Sequence, residues 1–100
     1  MSNFRRISVT DAQALMRDAN PLLLDCRDVN SYQTSHVENA LHVHDDLVKS
    51  LISKGDKSQP LVIYCYHGHS SQHLAEMLAN FGFSDVSSVD GGFEEWKKAL

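Results

Sequence analysis

Cysteine is scarce in this chain of 100 residues, which contains only Cys26 and Cys65. Two thiols so far apart do not form the disulfide framework that stabilises many small secreted domains. The first six residues also lack the apolar core of a secretory signal. We therefore expect both thiols to be free in a reducing compartment and the protein to be cytoplasmic.

Clusters of positive charge and long apolar runs are absent as well. The net charge is −4 with neutral histidines, and the largest basic clusters are the pairs Arg5-Arg6 and Lys97-Lys98. We therefore expect neither nucleic acid nor a membrane as a partner. No stretch approaches the roughly 20 apolar residues of a membrane span. Hydrophobic residues make up 42% of the chain, which is enough for a core, and we expect one domain over residues 1–100.

Short apolar runs alternate with amphipathic segments, which predicts strands alternating with helices. The predicted strands are residues 7–9, 22–26, 40–43, 61–64 and 86–89. The predicted helices are 10–17, 29–33, 45–54, 70–81 and 93–100. The predicted N-caps are Thr10, Asp28, Asp45 or Asp46, and Ser70 or Ser71, with Gly55 and Gly82 as helix ends. This order predicts an α/β fold whose mostly parallel sheet is covered on both faces.

Cys65 stands where such a fold places its chemistry. It follows the apolar strand 61–64, and the loop 66–71 leads from it into a helical pattern. Backbone N–H groups and the positive end of the helix dipole favour a thiolate at this place. We interpret Cys65 as a nucleophile, and the alternative is an ordinary buried thiol of the core.

The loop after Cys65 is suited to binding an anion through its backbone. Gly68 can adopt a positive φ and lets the loop curl around the sulfur. Several consecutive N–H groups would then point inward and form a nest for negative charge. Ser70 and Ser71 can donate hydroxyl hydrogen bonds to a bound oxyanion or cap the helix.

Four short segments, in this order and spacing, carry a resemblance to a known family. They are Leu24-Asp25-Cys26-Arg27, Ser35-His36-Val37-Glu38-Asn39-Ala40, Cys65-Tyr66-His67-Gly68-His69-Ser70-Ser71 and Asp90-Gly91-Gly92-Phe93-Glu94-Glu95-Trp96. Over nearly its whole length the chain resembles the single-domain rhodaneses, most closely the small GlpE-type thiosulfate sulfurtransferases. The resemblance implies a rhodanese-like three-layer α/β/α fold with a mostly parallel five-stranded sheet.

The resemblance also implies an activity with Cys65 as the catalytic residue. Its thiolate would take sulfane sulfur from thiosulfate, hold it as a persulfide and pass it to cyanide or a thiol in a ping-pong cycle. A thioredoxin-like protein is a further candidate acceptor, and neither a metal nor an organic cofactor is implied. The implied substrate-binding residues are those of the loop, Tyr66, His67, Gly68, His69, Ser70 and Ser71.

The chain departs from the family pattern at two places. Ser70 stands where many rhodaneses carry an arginine that helps to bind the anion, so we expect weak affinity for thiosulfate. Ser35 and Glu38-Asn39 replace the glycine and the Pro-Gly of the family's Gly-His-Ile-Pro-Gly-Ala segment. That segment is mainly structural, so the second change concerns the shape of a loop.

Two other functions remain open from the residues. Cysteine phosphatases use a similar strand, loop and helix with the pattern Cys-x5-Arg, but here the sixth residue after Cys65 is Ser71. A phosphate dianion would lack its bidentate arginine partner. A carrier module that accepts a persulfide and delivers the sulfur to a protein partner would need the same cysteine.

The remaining histidines and the second cysteine have plainer interpretations. A zinc site from His67, His69 and His73 is conceivable, although the spacing matches no known ligand pattern. We expect a structural hydrogen bond from His36. Cys26 is predicted to pack in the core, and it would serve as a resolving thiol only if it came close to Cys65.

Two further pairs are predicted to support the fold. Asp25 and Arg27 follow a strand and are expected to form a partly buried ion pair that holds the loops. Phe93 and Trp96 lie three residues apart on the last predicted helix, where paired aromatics usually pack in the core.

Overall fold

Five parallel strands form the central sheet of the computed structural model, which describes residues 4–100. The strands are β1 (Arg5–Ile7), β2 (Leu22–Asp25), β3 (Leu41–His42), β4 (Leu61–Tyr64) and β5 (Val86–Val89). Their order across the sheet is β1-β5-β4-β2-β3, and every pairing is parallel. The carboxyl end of β4 therefore lies at the middle of the sheet, between the ends of β2 and β5.

Helices cover both faces of the sheet. They are α1 (Val9–Asp18), α2 (Val29–Thr34), α3 (Asp45–Lys54), α4 (Ser70–Asn80) and α5 (Gly92–Trp96), and a 3₁₀ turn over Lys97–Ala99 follows α5. Within residues 4–100 no helix is long and apolar enough to span a bilayer. The predicted three-layer α/β/α fold with a parallel five-stranded sheet is confirmed.

Two apolar clusters fill the space between the layers. On one face Val62 and Tyr64 of β4 pack with Ala12 of α1 and with Phe93 and Trp96 of α5. The other cluster contains alternate residues of the central strands together with apolar residues of α3 and α4, namely Leu24, Ile63, Leu51, Ala75 and Leu78. Side chains of a strand alternate between the two faces. The residue after Tyr64 is therefore directed toward α3 and α4.

The predictions at the N-terminal end are shifted by about two residues. β1 ends at Ile7, so Val9, which the pattern assigns to the strand, is the first residue of α1. Ser8 rather than Thr10 is the N-cap, because its hydroxyl accepts a hydrogen bond from the N–H of Asp11 at 3.0 Å. Serine is at least as good an N-cap as threonine, so residue preference does not favour the predicted Thr10 over Ser8.

The cap predictions for α2 and α3 have different outcomes. Asp28 caps α2 as predicted, and its carboxylate accepts from the N–H of Ser31. The N-cap of α3 is His44, whose ring accepts from the N–H of Leu47 at 3.3 Å. The predicted caps Asp45 and Asp46 lie in the first turn instead, where their carboxylates face the positive end of the helix dipole.

The last two helices also differ from the predicted caps and lengths. His69 is the residue before α4 and makes no side-chain cap, while the predicted caps Ser70 and Ser71 are helical. Gly82, with φ +110, ends this helix in the predicted way. The predicted helix 93–100 is divided into α5 and the 3₁₀ turn.

Candidate active site

The end of β4 is held by backbone contacts from the segment that begins α5. The carbonyl of Cys65 accepts a hydrogen bond from the N–H of Phe93 at 2.8 Å, and that of Tyr66 accepts from Glu94 at 3.1 Å. Gly92 has φ +57, and a Cβ there would lie 2.5 Å from the Cys65 carbonyl oxygen. Only glycine permits this close approach, so the Gly91-Gly92 motif positions the loop that contains the cysteine.

The loop folds back over the sulfur of Cys65. The N–H groups of Gly68 and Ser71 donate to the sulfur at 3.2 and 3.3 Å, and the hydroxyl oxygen of Ser71 lies 3.4 Å from it. Gly68 has φ +99, and a Cβ would lie 3.0 Å from the backbone nitrogen of Gly91. The predicted curl around the cysteine is present, and Cys65 itself is 3% exposed.

A buried serine supports this arrangement from the neighbouring strand. The hydroxyl of Ser88, on β5, lies 2.8 Å from the hydroxyl of Ser71, and both residues are fully buried. When Ser71 donates to the sulfur, its oxygen can accept from Ser88. The sequence analysis missed Ser88, although two serines within the buried strand Val86–Val89 are the kind of signal that marks a polar network.

These contacts make the thiolate the stable form of Cys65. Its pKa falls from the ordinary value of 9.0 to about 4. The neighbouring Cys26 thiol has the largest effect, and the Ser71 hydroxyl and the N–H groups of Ser71 and Gly68 add to it. Burial acts in the opposite direction. The pKa of Cys26 is raised, chiefly by its interaction with Cys65 and then by burial, so this thiol keeps its proton.

The other residues of the cysteine loop lie on the protein surface, away from the sulfur. Tyr66, His67, His69 and Ser70 are exposed, and within residues 4–100 none of them hydrogen-bonds to the sulfur. The Tyr66 hydroxyl lies 2.9 Å from the hydroxyl of Ser31 on α2. The structure therefore brings two of the six predicted loop residues, Gly68 and Ser71, against the sulfur.

The end of β2, beside β4, is held by charge. The Asp25 carboxylate accepts from the guanidinium of Arg27 at 2.9 Å, and both side chains are buried. The predicted ion pair is therefore present and more deeply buried than expected. The guanidinium carbon also lies 4.1 Å from the centre of the Phe93 ring, so this pair contacts α5, whose Phe93 N–H donates to the carbonyl of Cys65.

The histidines of the chain serve structure or lie in solvent. The Nδ1 of His36 lies 2.7 Å from the carbonyl oxygen of Tyr32, and the imidazole stacks on the Tyr32 ring. Both contacts agree with the predicted structural role of His36. The Nε2 of His42 lies 2.7 Å from the carbonyl oxygen of Arg27, a contact the sequence did not indicate. In residues 4–100 no three histidine, cysteine or carboxylate side chains gather as a metal site, so the zinc alternative has no support.

Two cavities flank the cysteine loop. A cavity of about 580 Å³ between α3 and α4 is lined mostly by apolar side chains and reaches Cys26 and Ser70. A second, of about 350 Å³, lies between α2 and α5, where Tyr66, Arg27 and Phe93 contribute to its wall. The loop thus separates two spaces that are open to solvent.

The site is a buried cysteine enclosed by a strand, a loop and a helix at the carboxyl edge of a parallel sheet. Residues 8–99 match the rhodanese-like domain, and the chain belongs to that family. The predicted resemblance is confirmed.

Individual relatives agree with this assignment. The chain is 45% identical over 97 residues to a protein of Pseudomonas savastanoi pv. phaseolicola named thiosulfate sulfurtransferase GlpE, with 97% of this chain and 91% of the relative covered. A rhodanese-like domain protein of Staphylococcus aureus superimposes with a TM-score of 0.78 at 21% identity, over 93% of this chain and 91% of the other.

A further solved structure shares the fold. It is a Rhodopseudomonas palustris protein of unknown function described as a possible tyrosine phosphatase, with a TM-score of 0.82 at 20% identity. The match covers 96% of this chain and 81% of that one. At such low identity this likeness concerns the fold alone.

Proposed function

We propose that this protein is a sulfurtransferase that takes sulfane sulfur from thiosulfate, with Cys65 as its catalytic nucleophile. The observation that carries the proposal is the Cys65 sulfur held by the N–H groups of Gly68 and Ser71. With a pKa of about 4, the sulfur is ionised at neutral pH, and the thiolate is the reactive form. The relative named thiosulfate sulfurtransferase supports this choice of donor.

In the first step the Cys65 thiolate attacks the outer sulfur of thiosulfate. A new S–S bond forms, the bond between the two thiosulfate sulfurs breaks, and its electron pair leaves with sulfite. Cys65 then carries a persulfide with its negative charge on the outer sulfur. Throughout the step the negative charge stays on sulfur atoms inside the loop, where the two N–H donors and the Ser71 hydroxyl stabilise it.

In the second step cyanide or a thiol attacks the outer sulfur. The S–S bond of the persulfide breaks, and Cys65 departs as a thiolate, which the same donors already favour. The leaving group is therefore a good one, and the enzyme returns to its starting state without a cofactor. Donor and acceptor react in turn, which is the ping-pong scheme of covalent catalysis.

The exposed loop residues would contact the substrates. Tyr66, His67, His69 and Ser70 surround the entrance to the sulfur, and none is an arginine. Thiosulfate would therefore be bound by backbone, hydroxyl and imidazole groups, which favours a weak complex. An exposed entrance also suits a large acceptor such as a thioredoxin-like protein. Two free thiols fit a reducing compartment, and the proposal places the protein in the cytoplasm.

Thiocyanate formation from thiosulfate and cyanide tests the proposal. Purified protein should produce thiocyanate with the parallel double-reciprocal lines of a ping-pong reaction. Cys65→Ser should lower the rate at least about a thousandfold, because the nucleophile is removed. Intact mass after thiosulfate treatment should rise by one sulfur atom, which a reductant then removes. Cys26→Ser should still accept the sulfur, since Cys65 and its donors from Gly68 and Ser71 are retained, although loss of the Cys26 thiol should raise the pKa of Cys65.

Two other results would contradict the proposal. Hydrolysis of a chromogenic phosphate without any reaction with thiosulfate would favour phosphatase chemistry. Stable loading of Cys65 with no transfer to cyanide or thiols would make the protein a sulfur carrier that needs a specific partner.

A further inference from the structure

The two cysteines follow paired positions on neighbouring parallel strands. Asp25 of β2 is in register with Tyr64 of β4, so Cys26 and Cys65 are the next residues along each chain. The N–H of Cys26 still donates to the carbonyl of Tyr64 at 2.9 Å, which continues the pairing. Neighbouring strands lie about 4.8 Å apart, and disulfides join Cα atoms roughly 4.4–6.8 Å apart. The backbone separation is therefore suitable for a disulfide.

Both cysteine side chains also point to the same face of the sheet. Leu24 and Ile63, two residues before the cysteines, belong to the same apolar cluster beneath α3 and α4. Because side chains of a strand alternate, the cysteines share that face. Cys26 packs against the cluster, and its thiol is the largest influence on the ionisation of Cys65. The condition for a resolving thiol, closeness to Cys65, is thus met.

We propose that Cys26 resolves the persulfide of Cys65, forming a Cys26–Cys65 disulfide and releasing sulfide. The inference rests on the proposed function, which supplies the persulfide. The sulfur of Cys26 attacks the inner sulfur, Sγ of Cys65, and the bond from Sγ to the outer sulfur breaks. The electron pair leaves with the outer sulfur, which takes the Cys26 proton and departs as hydrosulfide. The outer sulfur is reduced, the Cys26 sulfur is oxidised, Sγ of Cys65 keeps its oxidation state, and no further oxidant is needed.

Charge explains why Cys26 acts after sulfur loading. While Cys65 is a thiolate, that charge and the carboxylate of Asp25 raise the pKa of Cys26, which remains a protonated hydrogen-bond donor. Once the persulfide forms, the negative charge lies on the outer sulfur, and Sγ becomes a neutral electrophile. Cys26 reaches it from the end of β2, whereas the amides of Gly68 and Ser71 approach from the loop.

Access to the disulfide is provided on the Cys26 side. Cys65 is 3% exposed, but Cys26 is half-buried and lines the cavity of about 580 Å³ between α3 and α4. A small thiol entering there can attack the Cys26 sulfur and return both cysteines to the reduced state. Without such a thiol, each chain would release one sulfide and then stop. Scarcity of acceptor would thus convert the enzyme to a resting oxidised form.

Mass spectrometry with a sulfide assay tests this step. Reduced protein is treated with thiosulfate, freed of small molecules and followed over time without reductant. Wild type should lose its added sulfur at least about tenfold faster than Cys26→Ser, because the attack is intramolecular. It should release one sulfide per chain and end two hydrogen atoms lighter than the reduced protein. Trypsin should then yield residues 18–27 joined to 58–97, and Cys26→Ala should behave like Cys26→Ser.

The possible results separate this step from the proposed function. Equal persulfide lifetimes in wild type and both Cys26 variants would overturn the inference and leave the sulfurtransferase intact. Transfer of the outer sulfur to peptide 18–27 without sulfide release would overturn it too. If neither wild type nor Cys26→Ser takes up sulfur, the proposed function fails and this inference fails with it.

Discussion

The ends of β2 and β4 lie side by side, and each is followed by a cysteine, yet the two thiols have opposite properties. After β4, the Cys26 thiol, the Ser71 hydroxyl and two loop N–H groups lower the pKa of Cys65 to about 4. After β2, the neighbouring groups are Cys65 and the carboxylate of Asp25, and the pKa of Cys26 rises. Sheet register thus brings the thiols together, while the backbone that follows each strand decides which one is ionised.

The two strand ends are also stabilised by different means. Charge holds the end of β2, where the buried carboxylate of Asp25 pairs with Arg27. Close backbone approach holds the end of β4, where Gly92 packs against the Cys65 carbonyl and the N–H of Phe93 donates to it. A variant at one end should therefore fail for a different reason than a variant at the other.

The largest effect is expected from Asp25→Asn at the end of β2. The change removes the charge that compensates the buried guanidinium of Arg27. Breaking one side of a buried ion pair typically costs about 3–5 kcal/mol. Urea unfolding should show a loss of this size in the free energy of unfolding, with the midpoint lowered accordingly.

Asp85→Asn is the matched control for this variant. The Asp85–Arg5 ion pair has nearly the same length as the Asp25–Arg27 pair, 2.8 Å against 2.9 Å. The side chains of Asp85 and Arg5, however, are both exposed to solvent. An exposed pair is worth about 0–1 kcal/mol. Similar losses for the two variants would show that the end of β2 does not depend on its buried charge.

Gly92→Ala should have the second largest effect, at the end of β4. The new Cβ would lie 2.5 Å from the Cys65 carbonyl oxygen and 2.7 Å from that of Tyr66, in a backbone conformation with φ +57. To relieve these overlaps with the new Cβ, the cysteine loop would have to move away from α5. We expect a loss of about 2–4 kcal/mol in the free energy of unfolding, together with loss of thiocyanate formation as the cysteine loop shifts.

Gly82→Ala separates crowding from backbone strain. Gly82 has φ +110, but a Cβ there meets the side chain of Lys57 at 3.9 Å and no backbone atom. Its cost should be about 1 kcal/mol, from conformation alone. If both alanine variants lose the same stability and keep activity, the contact between Gly92 and the cysteine loop has no special role.

The sequence was sufficient to predict the sheet and the place of Cys65 after its central strand. The strands at 61–64 and 86–89 agree with the structure because continuous apolar runs are typical of buried parallel strands. Errors occurred at element ends. Ser8 lies two residues before the predicted cap Thr10, and His44 lies one residue before Asp45. Local pattern does not show which backbone N–H groups need a cap.

The site was harder to predict where it depends on contacts between distant segments. The sequence shows Gly91-Gly92 only as two adjacent glycines before a helix, whereas in the structure Gly92 contacts the carbonyl of Cys65, 27 positions earlier in the chain. Ser88 was missed because its partner Ser71 comes from another element. The closeness of Cys26 to Cys65 requires the register of β2 on β4, which no local pattern encodes. The candidate loop residues could therefore be selected from the sequence, whereas the contacts between distant segments could not.

Ser71→Ala should have the smallest of these effects, and its specific result is a change in the ionisation of Cys65. The Ser71 hydroxyl lowers the pKa of Cys65, so its removal should raise the pKa from about 4. A hydrogen bond to a charged group is worth about 1.5–3 kcal/mol, which corresponds to about one to two pH units. The rate of alkylation by iodoacetamide, measured against pH, should show the higher midpoint.

Ser70→Ala provides the comparison for Ser71→Ala, because Ser70 is exposed and its hydroxyl does not contact the sulfur. Its alkylation midpoint should equal that of wild type. The dependence of the free energy of unfolding on pH should likewise be unchanged in Ser70→Ala and altered in Ser71→Ala. Since the folded pKa lies below the ordinary value of 9.0, the thiolate stabilises the fold fully above pH 9.0, and this stabilisation is lost as the pH falls toward 4. In Ser71→Ala the loss should end at a higher pH, and identical curves for the three proteins would mean that the Ser71 hydroxyl does not stabilise the thiolate and that the Cys26 thiol and the backbone N–H groups hold the charge.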